Sequence, residues 1–213
     1  ANTIHECTNC GAQFQKWIGR CLECGKWGTV DKNAIIKKTE VAQEKTTPLK
    51  TSKLSQVKSA QIKRLQTKVS ELDRVLGGGI VPGSVILLGG EPGVGKSTLA
   101  LQIASLLSNT LYFSGEESVE QIKLRADRLK TKNTDIELAS GNQIDSLLAT
   151  VREKKNKFGA LIIDSIQTVS TDDTAGTAGN VNQVRACTVK LMELAKTTGL
   201  PIIIIGQLTK DGN

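Results

Sequence analysis

Residues 85–107 read VILLGGEPGVGKSTLALQIASLL, and this stretch decides the fold. Val85, Ile86, Leu87 and Leu88 make an apolar run of strand length. The segment Gly90-Glu91-Pro92-Gly93-Val94-Gly95-Lys96-Ser97 then satisfies the phosphate-loop spacing G-x-x-x-x-G-K-[ST] in full. Leu99, Ile103, Leu106 and Leu107 follow at helical spacing, so the loop stands between a strand and a helix, the context that the spacing requires. Each residue type has a chemical reason. Glycines 90, 93 and 95 let backbone N–H groups turn inward around phosphate oxygens. The start of the following helix adds partial positive charge at the same point. Lys96 can reach the outer phosphates, and the Ser97 hydroxyl can ligate magnesium.

The chain is expected to be α/β with a mainly parallel sheet. Strands are predicted at residues 110–114, 136–139, 160–163 and 202–205, and helices at residues 118–129, 144–154 and 184–196. Strands and helices that alternate with short links imply parallel pairing through crossovers. A short helix containing Leu72, Val75 and Leu76, stopped by Gly77-Gly78-Gly79, is predicted ahead of the P-loop strand. Cys187 in the last helix is expected to be a small core side chain.

In such a sheet the ligand lies beyond the carboxyl ends of the strands. Asp164 ends an apolar run there and matches a carboxylate that holds magnesium. Glu116 and Glu117 end the strand LYFSGEE. A carboxylate at that place can polarise an attacking water, whereas the plainer alternative is that the pair caps the helix beginning near Ser118. Gln207, after the last strand, offers an amide that can sense the outermost phosphate. Residues 168–181 are a polar Gly/Thr-rich loop.

The N-terminus has a different character. Cys7-Thr-Asn-Cys10-Gly11 and Cys21-Leu-Glu-Cys24-Gly25 are two C-x-x-C-Gly knuckles. A two-residue gap lets both sulfurs of a knuckle face one point, and two knuckles make a four-thiolate site suited to structural zinc. Disulfides fit a cytosolic chain poorly, and a redox pair needs no duplicate. The glycine after each pair is expected to leave backbone N–H groups aimed at the sulfurs. Trp17 and Trp27 are expected to pack around the site, and His5 to be a surface residue. The chain therefore divides into a zinc finger at 1–30, a flexible basic linker at 31–64 and an ATPase core at 65–213.

Charge follows that division. The chain carries +7, but residues 1–69 hold 13 Lys and Arg against 5 Asp and Glu, and the remainder is nearly balanced. The asymmetry suits an anionic partner such as nucleic acid, or equally a merely solvated lysine-rich linker. No apolar run is long enough to span a bilayer and nothing resembles a signal peptide, so a soluble cytoplasmic protein is expected, with no membrane partner. The first residue is Ala1 and the last, Asn213, lies in turn-like sequence, which suggests a fragment at the C-terminus.

ELDRVLGGGIVPGSVILLGGEPGVGKSTL, YFSGEES, IIDSIQT and QVRACTVKLMELAK, with the KWIGRCLECGKWGT finger segment before them, resemble the RadA (Sms) family of bacterial DNA-repair ATPases, members of the RecA-like superfamily. The resemblance covers residues 1–30 and 65–213. It implies a DNA-dependent ATPase of recombinational repair, a ring-type motor that promotes branch migration on single-stranded or branched DNA alongside the RecA recombinase. It implies ATP, magnesium and zinc as cofactors. Carried onto this chain, phosphate binding falls on Gly90, Glu91, Pro92, Gly93, Val94, Gly95, Lys96, Ser97 and Thr98. Metal assistance falls on Ser97 and Asp164, and water activation on Glu116 with Glu117 as second candidate. The loop at 168–181 falls where RecA-like motors present a DNA-binding loop, with Arg185 just beyond it.

Two features depart from the family. It usually shows His where this chain has Gln207, and its Lys-Asn-Arg-Phe-Gly motif follows the last strand. The similar Lys155-Asn-Lys-Phe-Gly159 precedes Asp164 and is treated as a decoy. The competing expectation is a zinc-tethered, ATP-binding regulatory switch of the same superfamily without motor activity. A small-molecule kinase would need a lid and an acceptor site, and none is legible.

Overall fold

A computed structural model describes residues 5–32, 51–56, 63–131, 135–154 and 157–207. Most of the expected linker, Lys155 and Asn156 of the decoy motif, and the chain end at 208–213 lie outside the described residues. The chain divides into two units, residues 1–62 and 63–213.

In the first unit, strands β1 (His5–Glu6) and β2 (Gln13–Phe14) pair antiparallel. The two knuckles repeat one backbone pattern. Gly11 N–H donates to the Cys7 carbonyl at 2.7 Å, and Gly25 N–H to the Cys21 carbonyl at 2.9 Å. The glycine N–H groups close the turns on carbonyl oxygen, and other backbone N–H groups face the sulfurs, as expected: those of Asn9 and Cys10 face Cys7, that of Ala12 faces Cys10 and that of Lys26 faces Cys24. Cys24 N–H likewise lies 3.5 Å from Cys21 Sγ. The tryptophans depart from expectation: Cys7, Cys21 and Val30 form the buried centre, while Trp17 and Trp27 are exposed.

The second unit begins with α1 (Ser70–Val75) and continues through β3 (Val85–Gly90), α2 (Lys96–Leu106), β4 (Thr110–Ser114), α3 (Val119–Arg128), β5 (Glu137–Ser140), α4 (Ile144–Glu153), β6 (Ala160–Asp164), α5 (Val181–Thr198) and β7 (Ile202–Gln207). Its five strands run in the order β3-β7-β6-β4-β5, every neighbour parallel. Because helices cover both faces, β4, β6 and β7 are apolar almost throughout. Alternate residues enter opposite cores. Leu161, Ile163, Ile202 and Ile204 meet α4 and α5, whereas Tyr112, Ile162, Ile203 and Ile205 meet α2 and α3. Cys187 is fully buried in the first of these cores, as expected.

Two local expectations need refinement. On α2 the buried positions are Ala100, Leu101, Ile103 and Ala104, and Leu106 is partly exposed. The apolar face is broader than the leucine spacing suggests, because small alanines let the helix lie close to the sheet. Helix α3 is capped by Ser118 itself, in a reciprocal box with Gln121, so neither Glu116 nor Glu117 is needed as a cap. Among the described residues, no helix is long and apolar enough to cross a membrane.

Candidate nucleotide site and metal centre

The P-loop leaves β3 and enters α2 through Gly95, which has φ +95° at the N-cap of α2. That left-handed conformation is open to glycine and strained for most other residues. The loop borders a cleft of about 270 Å³ at the carboxyl ends of β3, β4, β6 and β7. Pro92, Gly93, Gly95, Lys96, Ser97 and Thr98 line one side, and Glu116, Asp164 and Gln207 reach it from three other strand ends. Gly90, Glu91 and Val94 complete the loop outside that lining, with Val94 exposed. Lys96 Nζ donates to the carbonyls of Gly90 and Glu91, both at 2.7 Å, so the lysine lies along the loop that it serves.

Asp164 is almost fully buried. Its Oδ1 accepts from Ser97 Oγ at 3.1 Å and its Oδ2 from the Tyr112 hydroxyl at 2.6 Å. Tyr112 lies one strand away, on β4. Burial, and then the charge of Asp164, push the pKa of Tyr112 far above the ordinary phenol range, so it remains a donor. The tyrosine thereby fixes one carboxylate oxygen and leaves the other beside the Ser97 hydroxyl. A hydroxyl and a carboxylate oxygen so placed fit magnesium, a hard cation with oxygen ligands.

The two adjacent glutamates separate. Glu116 Oε1 accepts from Ser165 Oγ at 2.7 Å and from Gln207 Nε2 at 3.3 Å, and the residue lines the cleft. Glu117 is absent from that lining and forms an ion pair with Arg125 of α3, whose side chain is nearly buried. Glu117 thus faces a nearly buried guanidinium, and Glu116 faces the cleft. The turn carrying Glu116 is locked in place. Glu116 N–H and Glu117 N–H donate to Ser114 Oγ, and a Cβ on Gly115 would stand 2.2 Å from Thr168 Oγ1. Gln167 Nε2 donates to the Gln207 carbonyl at 3.1 Å, which joins the end of β7 to the segment after β6.

Tyr112, Ser165 and Arg125 escape a reading of the sequence. Ser165 carries the strongest available signal, since it directly follows Asp164. Arg185 is exposed in the first turns of α5, next to the polar loop. The base of that loop is ordered by buried Gln183. Its Oε1 accepts from Thr171 N–H, and its Nε2 donates to the carbonyls of Thr171, Thr174 and Gly176. Phe158 of the decoy motif stands before β6, at the opposite end of that strand from Asp164.

In the first unit, the sulfurs of Cys7, Cys10, Cys21 and Cys24 all lie within 4.8 Å of one another. Cys7 and Cys24 Sγ are 3.7 Å apart, and Cys10 and Cys21 Sγ are 3.5 Å apart. These separations are too long for disulfides and close to the edge of a tetrahedron with zinc–sulfur bonds of about 2.3 Å. All four thiols are free, and the donor set fits zinc. His5 is no ligand: its Nδ1 is 3.0 Å from the Asp31 carbonyl.

A family model described as an AAA domain matches residues 50–213. The chain belongs to that AAA-domain family. A second model, described as a rubredoxin metal binding domain, matches residues 5–32, the four-cysteine unit. The DNA repair protein RadA of Bacillus subtilis (strain 168) is 41% identical over 216 residues, covering 97% of this chain and 47% of the relative. RadA of Streptococcus pyogenes serotype M1 is 44% identical, with 97% and 46% covered, and RadA of Mycobacterium tuberculosis (strain CDC 1551 / Oshkosh) is 42% identical, with 100% and 45% covered. The resemblance to the RadA proteins is thus borne out, and the chain spans about half the length of these curated relatives. Among solved structures, one described as an ATPase domain superposes with a TM-score of 0.58 at 18% identity, covering 70% of this chain and 66% of that one. At that identity the likeness concerns the fold: a parallel sheet flanked by helices, as in RecA-like ATPases.

Proposed function

We propose that this chain is the ATP-hydrolysing part of a DNA-repair motor of the RadA type, with a zinc finger at 1–30, a basic linker at 31–64 and the ATPase core at 65–213. The observation that carries the reading is the meeting of Lys96, Ser97, Asp164 and Glu116 in one cleft, with Glu116 held by Ser165 and Gln207. Residues 90–98 bind the phosphates, and Lys96 transfers its hydrogen bonds from the loop carbonyls to phosphate oxygens. Magnesium held by Ser97 and Asp164 supplies charge neutralisation there. Glu116, with Oε1 occupied by two donors, receives the attacking water on Oε2 and draws its proton. Gln207 touches both Glu116 and, through its carbonyl, Gln167, so a change at the cleft passes toward the loop at 168–181.

That loop, with Arg185, contacts DNA in this reading, and the basic N-terminal third adds phosphate contacts that depend steeply on salt. Ring assembly, branch migration and cooperation with the RecA recombinase belong to the full-length protein and extend the same proposal. The RadA relatives bear a DNA-repair name, and this supports the choice of DNA as partner.

The test is Glu116→Gln. The variant should retain nucleotide-dependent thermal stabilisation and lose hydrolysis by about two to four orders of magnitude. Hydrolysis at the parent rate would remove the water-activating role. Stimulation of the parent by single-stranded DNA separates a motor from a nucleotide switch, which would turn over equally with and without it.

A further inference from the structure

The zinc unit leaves outside what a small module should bury. Its centre consists of Cys7, Cys21 and Val30, with partly buried neighbours such as Phe14 and Ile18. A unit so short of apolar core gains most by covering its largest apolar side chains. Yet Trp17 is 44% exposed and Trp27 75% exposed.

The Trp17 ring is held in place, and the backbone that carries Trp27 is fixed. Trp17 Nε1–H donates to the Val30 carbonyl at 3.0 Å, and Trp27 forms an isolated antiparallel bridge with Arg20. They also border one spot. A Cβ placed on Gly19 would stand 3.9 Å from Trp17 Cη2 and 3.9 Å from Trp27 Cζ3. The floor between the indoles is thus a residue without a side chain. Each ring carries its own cation: Lys32 Nζ is 4.6 Å from the Trp17 ring centre, and Arg20 Cζ is 5.9 Å from that of Trp27.

We propose that Trp17 and Trp27 form a stacking platform for the bases of single-stranded nucleic acid, with Lys32 and Arg20 meeting the adjoining phosphates. Exposed aromatic faces with cations beside them are the elements of sequence-tolerant single-strand binding. Tryptophan and arginine also anchor protein interfaces. The cations at the rings decide between the two: Lys32 at Trp17 and Arg20 at Trp27 suit a polymer in which bases alternate with phosphates. The proposal rests on DNA as partner, as argued above, and assigns part of that contact to the zinc unit.

The chain has two tryptophans and both belong to this surface, so its indole fluorescence reports on the platform alone. The experiment uses the whole zinc-loaded chain and a short oligothymidylate. Quenching of indole emission should follow the same curve as the anisotropy of a labelled copy of the oligonucleotide. Trp27→Ala should weaken binding roughly 5- to 100-fold, the range of one stacked base, without changing the slope against salt. Trp27→Phe should recover most of that loss, since a smaller π-face remains, and zinc content should be unchanged in both. Arg20→Gln should lower the salt slope instead. Binding by anisotropy without quenching, or equal affinity for Trp27→Ala, would overturn the platform and leave the DNA partner standing. No binding in either assay would overturn both. Quenching by a purified protein but not by the oligonucleotide would give the surface to a protein and likewise overturn the proposal.

Discussion

The two units reach a defined fold by opposite means. In residues 5–32 the organising contacts are four sulfurs within 4.8 Å of one another, and the buried apolar centre is slight. In residues 63–213 two apolar layers clamp a parallel sheet on both faces. A metal-centred unit needs little side-chain packing, which frees Trp17 and Trp27 for the surface. A packed sheet has the reverse property. Its apolar strands hold rigid ends, and at those ends Asp164, Glu116 and Gln207 converge from separate strands on the P-loop.

Zinc removal should break this comparison most sharply. Metal binding in four-cysteine units supplies about 10–16 kcal/mol of folding free energy. A strong chelator should therefore unfold residues 1–30, seen as a shift of indole emission. It should leave the ATP-dependent melting of the core unchanged. A core melting temperature that falls with chelation would show that the units are energetically one.

A core deletion should do the converse. Ile162 is fully buried on β6, opposite Tyr112 of β4 and Ile203 of β7. Ile162→Ala should cost about 2–5 kcal/mol in denaturant unfolding of the core. Zinc content and indole emission should stay as in the parent. Loss of zinc in this variant would contradict the division just drawn.

The effect of Ser165→Ala should be smaller and confined to turnover. Removing a donor from an ionised carboxylate costs about 1.5–3 kcal/mol, or roughly a 10- to 100-fold loss of hydrolysis if it is felt in the transition state. ATP affinity should stay within a few-fold, since Ser165 lends Glu116 its orientation. Weakened nucleotide binding with unchanged turnover would show that Ser165 supports the loop instead of the glutamate.

Much of this is legible in the sequence because it is local. The P-loop with its flanking elements, the two cysteine knuckles, and Asp164 at the end of an apolar run are each contained within a few residues. What escapes depends on sheet order. Tyr112 meets Asp164 only because β4 and β6 are neighbours in register, with Ser114 opposite Asp164. Glu116 meets Ser165 and Gln207 for the same reason, across three strand ends. The distinction between Glu116 and Glu117 turns on Arg125, one helix further on, whose burial no spacing rule foretells. The expectation that the tryptophans pack around the site fails because four metal ligands can hold the unit while Trp17 and Trp27 stay exposed.

The loop after β6 offers the finest test, since it combines both strategies. It belongs to the packed unit, yet it is held as the zinc unit is, around a polar centre: Gln183, which satisfies four backbone groups of residues 171–176. A second tie lies nearer solvent. Lys190 Nζ stands 2.5 Å from Asp145 Oδ1 and 2.6 Å from Asp173 Oδ2, and Thr171 Oγ1 donates to Asp145 Oδ2 at 2.6 Å. The hydrogen bonds from Lys190 and then Thr171 lower the Asp145 pKa below its ordinary 3.8. The sign follows from that direction: the stabilisation is present above that ordinary value and is lost as pH falls through the lower folded value. Between about pH 5 and 8 it should be constant. The Asp145 side chain is 42% exposed, so solvent screening keeps the pair to at most about 1 kcal/mol. Asp145→Asn should therefore lower global stability by less than that and blunt the acid-side loss. Its main effect should be local, as faster proteolysis and hydrogen exchange at residues 171–176, because such segments open without global unfolding. A loss of several kcal/mol would show that the outer tie holds the loop. Unchanged exchange would leave the loop to Gln183 alone, a single polar centre serving an irregular segment as four sulfurs serve the zinc unit.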